Sequence, residues 1–181
     1  MDPIKIIHKY YNPKSKTYDF LVIHSKMVAE KALKIARRVK YLNPDLKFIQ
    51  EAAMLHDIGI FLTNTPGLGC YGKAPYVRHG YLGKKVLDKE KLPKHGLVCE
   101  RHVGVGLSKK DIIKRELPLP KRDMIPITLE EKIICFADKF FSKNKKFLVK
   151  EKSVEQVKEE LTQYGGDKVL KFEEWLKIFR E

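Results

Sequence analysis

The run Ala52-Ala53-Met54-Leu55-His56-Asp57-Ile58-Gly59 couples four apolar residues directly to a histidine and an aspartate. It reads as the buried end of a helix that Gly59 terminates. A carboxylate in that position is costly unless it is paired with a charge or holds a metal. Outward from this run the apolar period is helical almost throughout. Its own helix is expected from about Asp45 to Asp57, opened by Asn43-Pro44-Asp45. Before it come a long amphipathic helix, about Thr17 to Tyr41, and a short one, Pro3 to Tyr11, with proline at an early position. Residues 62–78 carry Pro66, Gly67, Gly69, Gly72 and Pro75 and predict a long loop, a kind of segment that is often functional. Further helices are expected over about Arg78 to Lys89, Pro93 to His102, Ser108 to Glu116 and Thr128 to Phe141. The last of these opens with Glu130 and Glu131 in its first turn. Lys143 to Lys152 is a basic connector. Two final helices, Ser153 to Tyr164 and Asp167 to Arg180, are split by Gly165-Gly166. No stretch shows convincing β alternation. The expected fold is all-α, with a core over residues 1–145 and residues 146–181 as a C-terminal helical extension packed on the same domain.

Composition narrows the classes. The chain has 181 residues, 43% of them apolar, enough for one domain with a real core. No run approaches the roughly 20 apolar residues of a membrane span. Met1-Asp2-Pro3-Ile4-Lys5 lacks the apolar core of a secretory signal, so the expected compartment is the cytoplasm. Cys70, Cys99 and Cys135 stand singly, which excludes a zinc ribbon or a C-x-x-C redox pair; they read as small core hydrophobes. The net charge of +14 and pI of about 9.6 favour anionic partners: nucleotides, nucleic acid or a membrane surface. Lysines nevertheless alternate with glutamates, as in Lys150-Glu151-Lys152, and glutamine is scarce. That is also the surface of a thermophile protein.

Polar residues on apolar faces carry the chemistry. Phe20, Met27 and Val28 share a helix face with His24, and Leu82 and Val86 share one with His79. Val98 and Cys99 lie with His102, and Ile134 and Phe141 with Asp138. With His56 and Asp57, four histidines and two aspartates lie on the inward faces of separate helices. Each needs a partner, and a shared metal site supplies all of them at once, as in helical bundles with metal cores; scattered core pairs are the alternative. Other features carry less. Gly67-Leu68-Gly69-Cys70-Tyr71-Gly72 matches G-x-G-x-x-G but follows no strand, so a dinucleotide fold is rejected. His8 and His95, set among lysines, are expected at the surface. Trp175, with Phe172, Leu176 and Phe179, is expected in the core.

The ordered set His24 … His56-Asp57 … Asp138 resembles the H…HD…D signature of the HD-domain metal-dependent phosphohydrolases. His56-Asp57-Ile58-Gly59 has the HDIG form of their central motif, and Ala137-Asp138-Lys139 is similar to their last. The resemblance covers roughly residues 17 to 141. It implies an HD-type helical bundle in which His24, His56, Asp57 and Asp138 bind one metal. In the two-metal members, which the pattern resembles most, Asp57 bridges to a second metal held by His79 and His102. His56 and Asp57 are then also the catalytic centre. Ile60 stands where some relatives have lysine, Arg101 rather than a second histidine precedes His102, and His79-Gly80-Tyr81 lacks the surroundings of a cyclic-di-GMP phosphodiesterase motif. Imidazole-rich ligation suits Mn, Fe, Co, Ni or Zn better than Mg. Two such ions about 3.5–4 Å apart can clamp a phosphoryl group and activate a water. Arg78, Arg101, Lys139 and, from the loop, Lys73 are the expected substrate contacts. The expected function is hydrolysis of a nucleotide phosphoester or phosphoanhydride: a dinucleoside polyphosphate, a cyclic nucleotide or a nucleoside monophosphate. The alternative is a nucleic-acid-binding protein, with contacts from Lys143 to Lys152 and Ser108 to Arg122, or a nucleotide sensor without turnover.

Overall fold

The computed structural model of the chain describes residues 1–142 and 148–180. Its described helices are α1 (Pro3–Tyr10), α2 (Lys16–Arg38), α3 (Leu46–Leu55), α4 (His79–Lys89), α5 (Pro93–Arg101), α6 (Lys109–Lys114), α7 (Leu129–Lys139), α8 (Val154–Thr162) and α9 (Gly166–Phe179). The fold is all-α, as the periodicity predicts. Side chains of Asp2, Ser15, Asp45, Ser108, Thr128 and Ser153 accept hydrogen bonds from backbone N–H groups one or two residues inside their helices. These caps satisfy donors that a helix start otherwise leaves unpaired. Residues 143–147 of the basic connector lie outside the described residues.

Two helices stop earlier than their apolar pattern. α2 ends at Arg38, and a 3-10 turn, Lys40–Leu42, closes on Asn43 in the left-handed region (φ 54°). α3 ends at Leu55, and Ile58–Leu62 forms a 3-10 turn. His56 and Asp57 therefore sit at the junction rather than on a continuous helix. Buried Tyr11 fixes this junction: its hydroxyl donates to the Ile58 carbonyl (2.6 Å) and accepts from the Phe61 amide (3.3 Å).

The loop after it has more order than its glycines and prolines suggest. Asn64–Thr65 (β1) pairs antiparallel with Cys70–Tyr71 (β2), in register Asn64 to Tyr71 and Thr65 to Cys70. The hairpin closes through a 3-10 turn and Gly69 at φ 77°, a conformation that favours glycine. Thr17 Oγ1 donates to the Leu68 carbonyl (2.9 Å) and ties the loop to the start of α2. Strands of two residues are too short to show an alternation.

The core lies where α2 packs on α3 and α7, and α4 packs on α5. α9 closes one side: Phe136 of α7 stacks on Phe172 (4.9 Å, 25°) and meets Phe179 edge-on (5.2 Å). Trp175 is buried beside them, as expected, and so are all three cysteines. Burial pushes the Cys135 thiol up to about 12, so it packs as a neutral group. His95 corrects the sequence reading. It is buried at 8% exposure, against the Phe48 ring (4.9 Å) and 3.4 Å from Glu51. Its covering groups come from another helix, which local sequence does not show. Among the described residues no helix is long and apolar enough to cross a membrane.

Candidate metal centre

Six side chains from five places in the chain meet at one buried point. His24 comes from the middle of α2, His56 follows the last residue of α3, and Asp57 is next to it. His79 begins α4, His102 follows the last residue of α5, and Asp138 is the penultimate residue of α7. All six are buried, with exposures of 0 to 8%. The Asp57 carboxylate lies at the centre. Its Oδ2 is 3.3 Å from His24 Nε2 and 3.2 Å from His56 Nε2. Its Oδ1 is 3.3 Å from His79 Nε2 and 3.4 Å from His102 Nε2. Asp138 Oδ1 closes the first group, 3.0 Å from His24 Nε2 and 3.4 Å from His56 Nε2. The ligand atoms of His24, His56 and Asp138 lie within 4.8 Å of one another, as do those of His56, Asp57 and His102.

Three imidazoles are oriented by the same local device. The Nδ1–H of His56 donates to the Ala53 carbonyl (2.6 Å), that of His79 to the Tyr76 carbonyl (2.7 Å) and that of His102 to the Cys99 carbonyl (2.7 Å). A carbonyl only accepts, so Nδ1 carries a proton, and Nε2 is left to present a lone pair to the centre whenever the ring is neutral, as metal binding requires. Tyr76 also stacks on the His79 ring (4.5 Å, 24°).

The second group shows why a cation fits. His79 Nε2 and His102 Nε2 are 3.1 Å apart, and both Nδ1 atoms are already donors. The neutral rings thus meet lone pair to lone pair, which requires a proton or a metal ion between them or before them. Without metal the cluster divides its charge unevenly. Burial opposes a charged His56, but the Asp57 and Asp138 carboxylates outweigh it and raise its imidazole to about 9. Burial, reinforced by the neighbouring imidazoles, lowers His102 to about 4 against the pull of Asp57. Burial disfavours a charged Asp138, yet Lys139, His24 and His56 hold its carboxyl well below the usual range. The donor set of four imidazoles and two carboxylates can hold a divalent metal in a borderline-soft, nitrogen-rich site.

Glycines make the approach of the second group. A Cβ on Gly59 would lie 2.2 Å from the His79 carbonyl oxygen and 2.4 Å from the Gly83 amide nitrogen. One on Gly80 would lie 2.3 Å from the Cys99 carbonyl oxygen. The 3-10 turn after Asp57, α4 and α5 therefore touch backbone to backbone, and this brings His79 and His102 to Asp57.

The cluster opens into a cleft of about 920 Å³ reached by His79, His102 and Asp138. Of the four expected substrate contacts, Lys139 lines this cleft, with its Nζ 2.9 Å from Asp138. Arg78, Arg101 and Lys73 are not among its lining residues. Lys73 is exposed on the loop, and the Arg78 guanidinium lies 5.9 Å from the Tyr81 ring. Arg101 instead holds buried Glu131, with Nη1 2.8 and 2.9 Å from its two carboxylate oxygens. Arg101→Ala is thus expected to act on stability. It leaves a buried carboxylate without its cation, at a cost of about 3 kcal/mol, and thermal unfolding should show it while metal content holds. A purely kinetic defect with an unchanged melting temperature would overturn this assignment. The cleft is also lined by Lys16, Arg115, Lys152 and Lys168; Arg115 and Lys152 fall in the two segments expected to contact nucleic acid, whereas Lys16 and Lys168 were not singled out by sequence.

The model of the HD domain matches residues 21–142, more than half of the chain. The chain belongs to the HD-domain family. The matched segment runs from just before His24 to just after Asp138 and so contains the whole cluster. An uncharacterized protein of Methanocaldococcus jannaschii is 36% identical over 124 residues, covering 65% of this chain and 64% of that protein. Two proteins named tRNA (cytidine(56)-2'-O)-methyltransferase are also similar. The one from Thermoplasma volcanium is 31% identical over 71% of this chain, and the one from Picrophilus torridus 32% identical over 71%. The match spans only 33% and 34% of those two proteins, and less than two thirds of the Methanocaldococcus protein. No solved structure matches the chain significantly.

Proposed function

We propose that this HD-domain chain is a metal-dependent phosphohydrolase acting on nucleotide phosphates. The observation that carries this reading is the placement of Asp57, one oxygen toward His24 and His56 and the other toward His79 and His102. In this reading His24, His56, Asp57 and Asp138 would hold one divalent cation, and His79, His102 and Asp57 would hold a second. Bound there, such ions activate a water and neutralise charge on a phosphoryl group. The chain's own residues do the rest. Carbonyls of Ala53, Tyr76 and Cys99 fix the imidazoles before substrate arrives, so no reorganisation accompanies the reaction. Lys139, at the cleft wall beside Asp138, neutralises a phosphate oxygen. The relatives named as tRNA methyltransferases support a nucleotide or RNA setting, and the basic balance of the chain is consistent with it.

Metal-depleted protein reconstituted in turn with Mn, Fe, Co, Ni and Zn, then assayed with para-nitrophenyl phosphate, its bis-ester and a nucleotide panel, tests this directly. Turnover that rises with bound metal, to about two ions per chain, is expected. Absence of turnover on every substrate with every metal would leave a binding or sensing role in its place.

A further inference from the structure

The cleft is larger than one phosphate and one metal pair require. At about 920 Å³ it lies at the upper end of small-ligand sites. Arg115, which caps the C-terminus of α6, lines it together with Tyr164 and Lys168 from the α8–α9 junction. The Arg115 guanidinium sits 4.9 Å from the centre of the Tyr164 ring, and Tyr164 remains 51% exposed. Lys168 is held in place by Asp111 of α6 (2.6 Å) and by Asp167 (2.9 Å), so the first contact joins α6 to α9. An exposed aromatic ring backed by a guanidinium, beside a fixed ammonium, is the arrangement on which single-stranded bases stack while their phosphates meet cations.

We propose that Arg115, Tyr164 and Lys168 form a subsite for the strand of an RNA whose terminal phosphate reaches the metal centre. The proposal rests on the phosphohydrolase reading for the role of that phosphate. Two observations favour a strand over a mononucleotide. The stacking surface belongs to the same cleft as His79, His102 and Asp138. Segments similar to this chain occur within two proteins named for tRNA modification.

The metal-loaded protein, Tyr164→Ala and Tyr164→Phe are compared in two measurements. The first is the ratio of kcat/KM for a five-nucleotide oligoadenylate, phosphorylated at the 5' or the 3' end, to that for adenosine monophosphate. The second is fluorescence anisotropy of a labelled, unphosphorylated oligoadenylate of the same length, which needs no turnover. Tyr164→Ala should lower the ratio and the oligoadenylate affinity each by about tenfold, the order of one base stacked on one ring. Tyr164→Phe should retain both, because the ring remains. Equal effects of the two substitutions, or a ratio near one for the unaltered protein, would overturn the subsite. Loss of all turnover with the anisotropy difference intact would overturn the hydrolase reading and leave the strand subsite standing.

Discussion

Asp57→Ala should abolish metal retention and lower turnover by at least about a thousandfold. The reason is its central position. Each carboxylate oxygen faces a different pair of imidazoles, so a single substitution removes a ligand from both groups. In the proposed hydrolase, several kcal/mol of charge stabilisation at a phosphoryl group would depend on metal held there, and each 1.36 kcal/mol is a factor of ten in rate. Asp57→Asn keeps the shape but replaces the central anion with a neutral amide, and should lose metal almost as fully. Elemental analysis of gently purified protein, with thermal unfolding as the control for folding, makes the comparison. Full metal content and unchanged turnover in a folded Asp57→Ala protein would rule out the bridged centre. About one ion per chain in the unaltered protein, lost in the variant, would limit the centre to a single metal and remove His79 and His102 from the ligand set.

Gly59→Ala should be the most damaging methyl group that can be added near the site. The new Cβ would meet the carbonyl oxygen of His79 at 2.2 Å and the amide nitrogen and Cα of Gly83 at 2.4 and 2.8 Å. All three are backbone atoms and cannot rotate aside. Relief requires the 3-10 turn after Asp57 to separate from α4, at an overpacking cost of about 3 kcal/mol. The separation would also draw His79 away from Asp57, so metal stoichiometry should fall together with the melting temperature. Gly83→Ala is the informative contrast. Its Cβ would approach Cys99 Cβ, the Gly59 amide and Cys99 Sγ at 3.3–3.4 Å, contacts that a few tenths of an ångström relieve. It should cost about 1 kcal/mol or less and retain metal. Equal effects of the two substitutions would show that backbone proximity at Gly59 is not what sets the ligand geometry.

The helical architecture was legible because each long element repeats its apolar residues at the helical period, and several, such as α2, α3 and α7, open with a capping side chain. The six clustered residues were legible for the opposite reason: each interrupts an apolar face with a group that needs a partner. The cleft was not. Lys16, Arg115, Lys152 and Lys168 belong to a set of 37 lysines and arginines, and nothing local separates a cation in a cleft from one in solvent. Many of the others form surface ion pairs, such as Lys84 with Asp88 and Lys171 with Glu174. These are worth little individually and say nothing about substrate. Arg78 and Arg101 show the same limit from the other side. Adjacency to a ligand in sequence suggested a role, but successive helical residues point about 100° apart, and Arg101 turned to Glu131 instead. His95 was hidden because Phe48 and Glu51, which cover it, lie more than forty residues away in α3.

His56 and His102 each follow directly on the last residue of a helix, and Asp138 stands one residue before the end of another. Three helices therefore bring their C-terminal ends to one point. Aligned peptide dipoles place about half a negative charge at each such end. The backbone alone makes this region attractive to cations and repellent to anions, before any side chain is counted. A phosphate arriving at the metal-free cluster would meet that field as well as two carboxylates. Binding should accordingly be ordered, metal before phosphate, and inorganic phosphate should show measurable affinity for this point only after the divalent ion has been supplied.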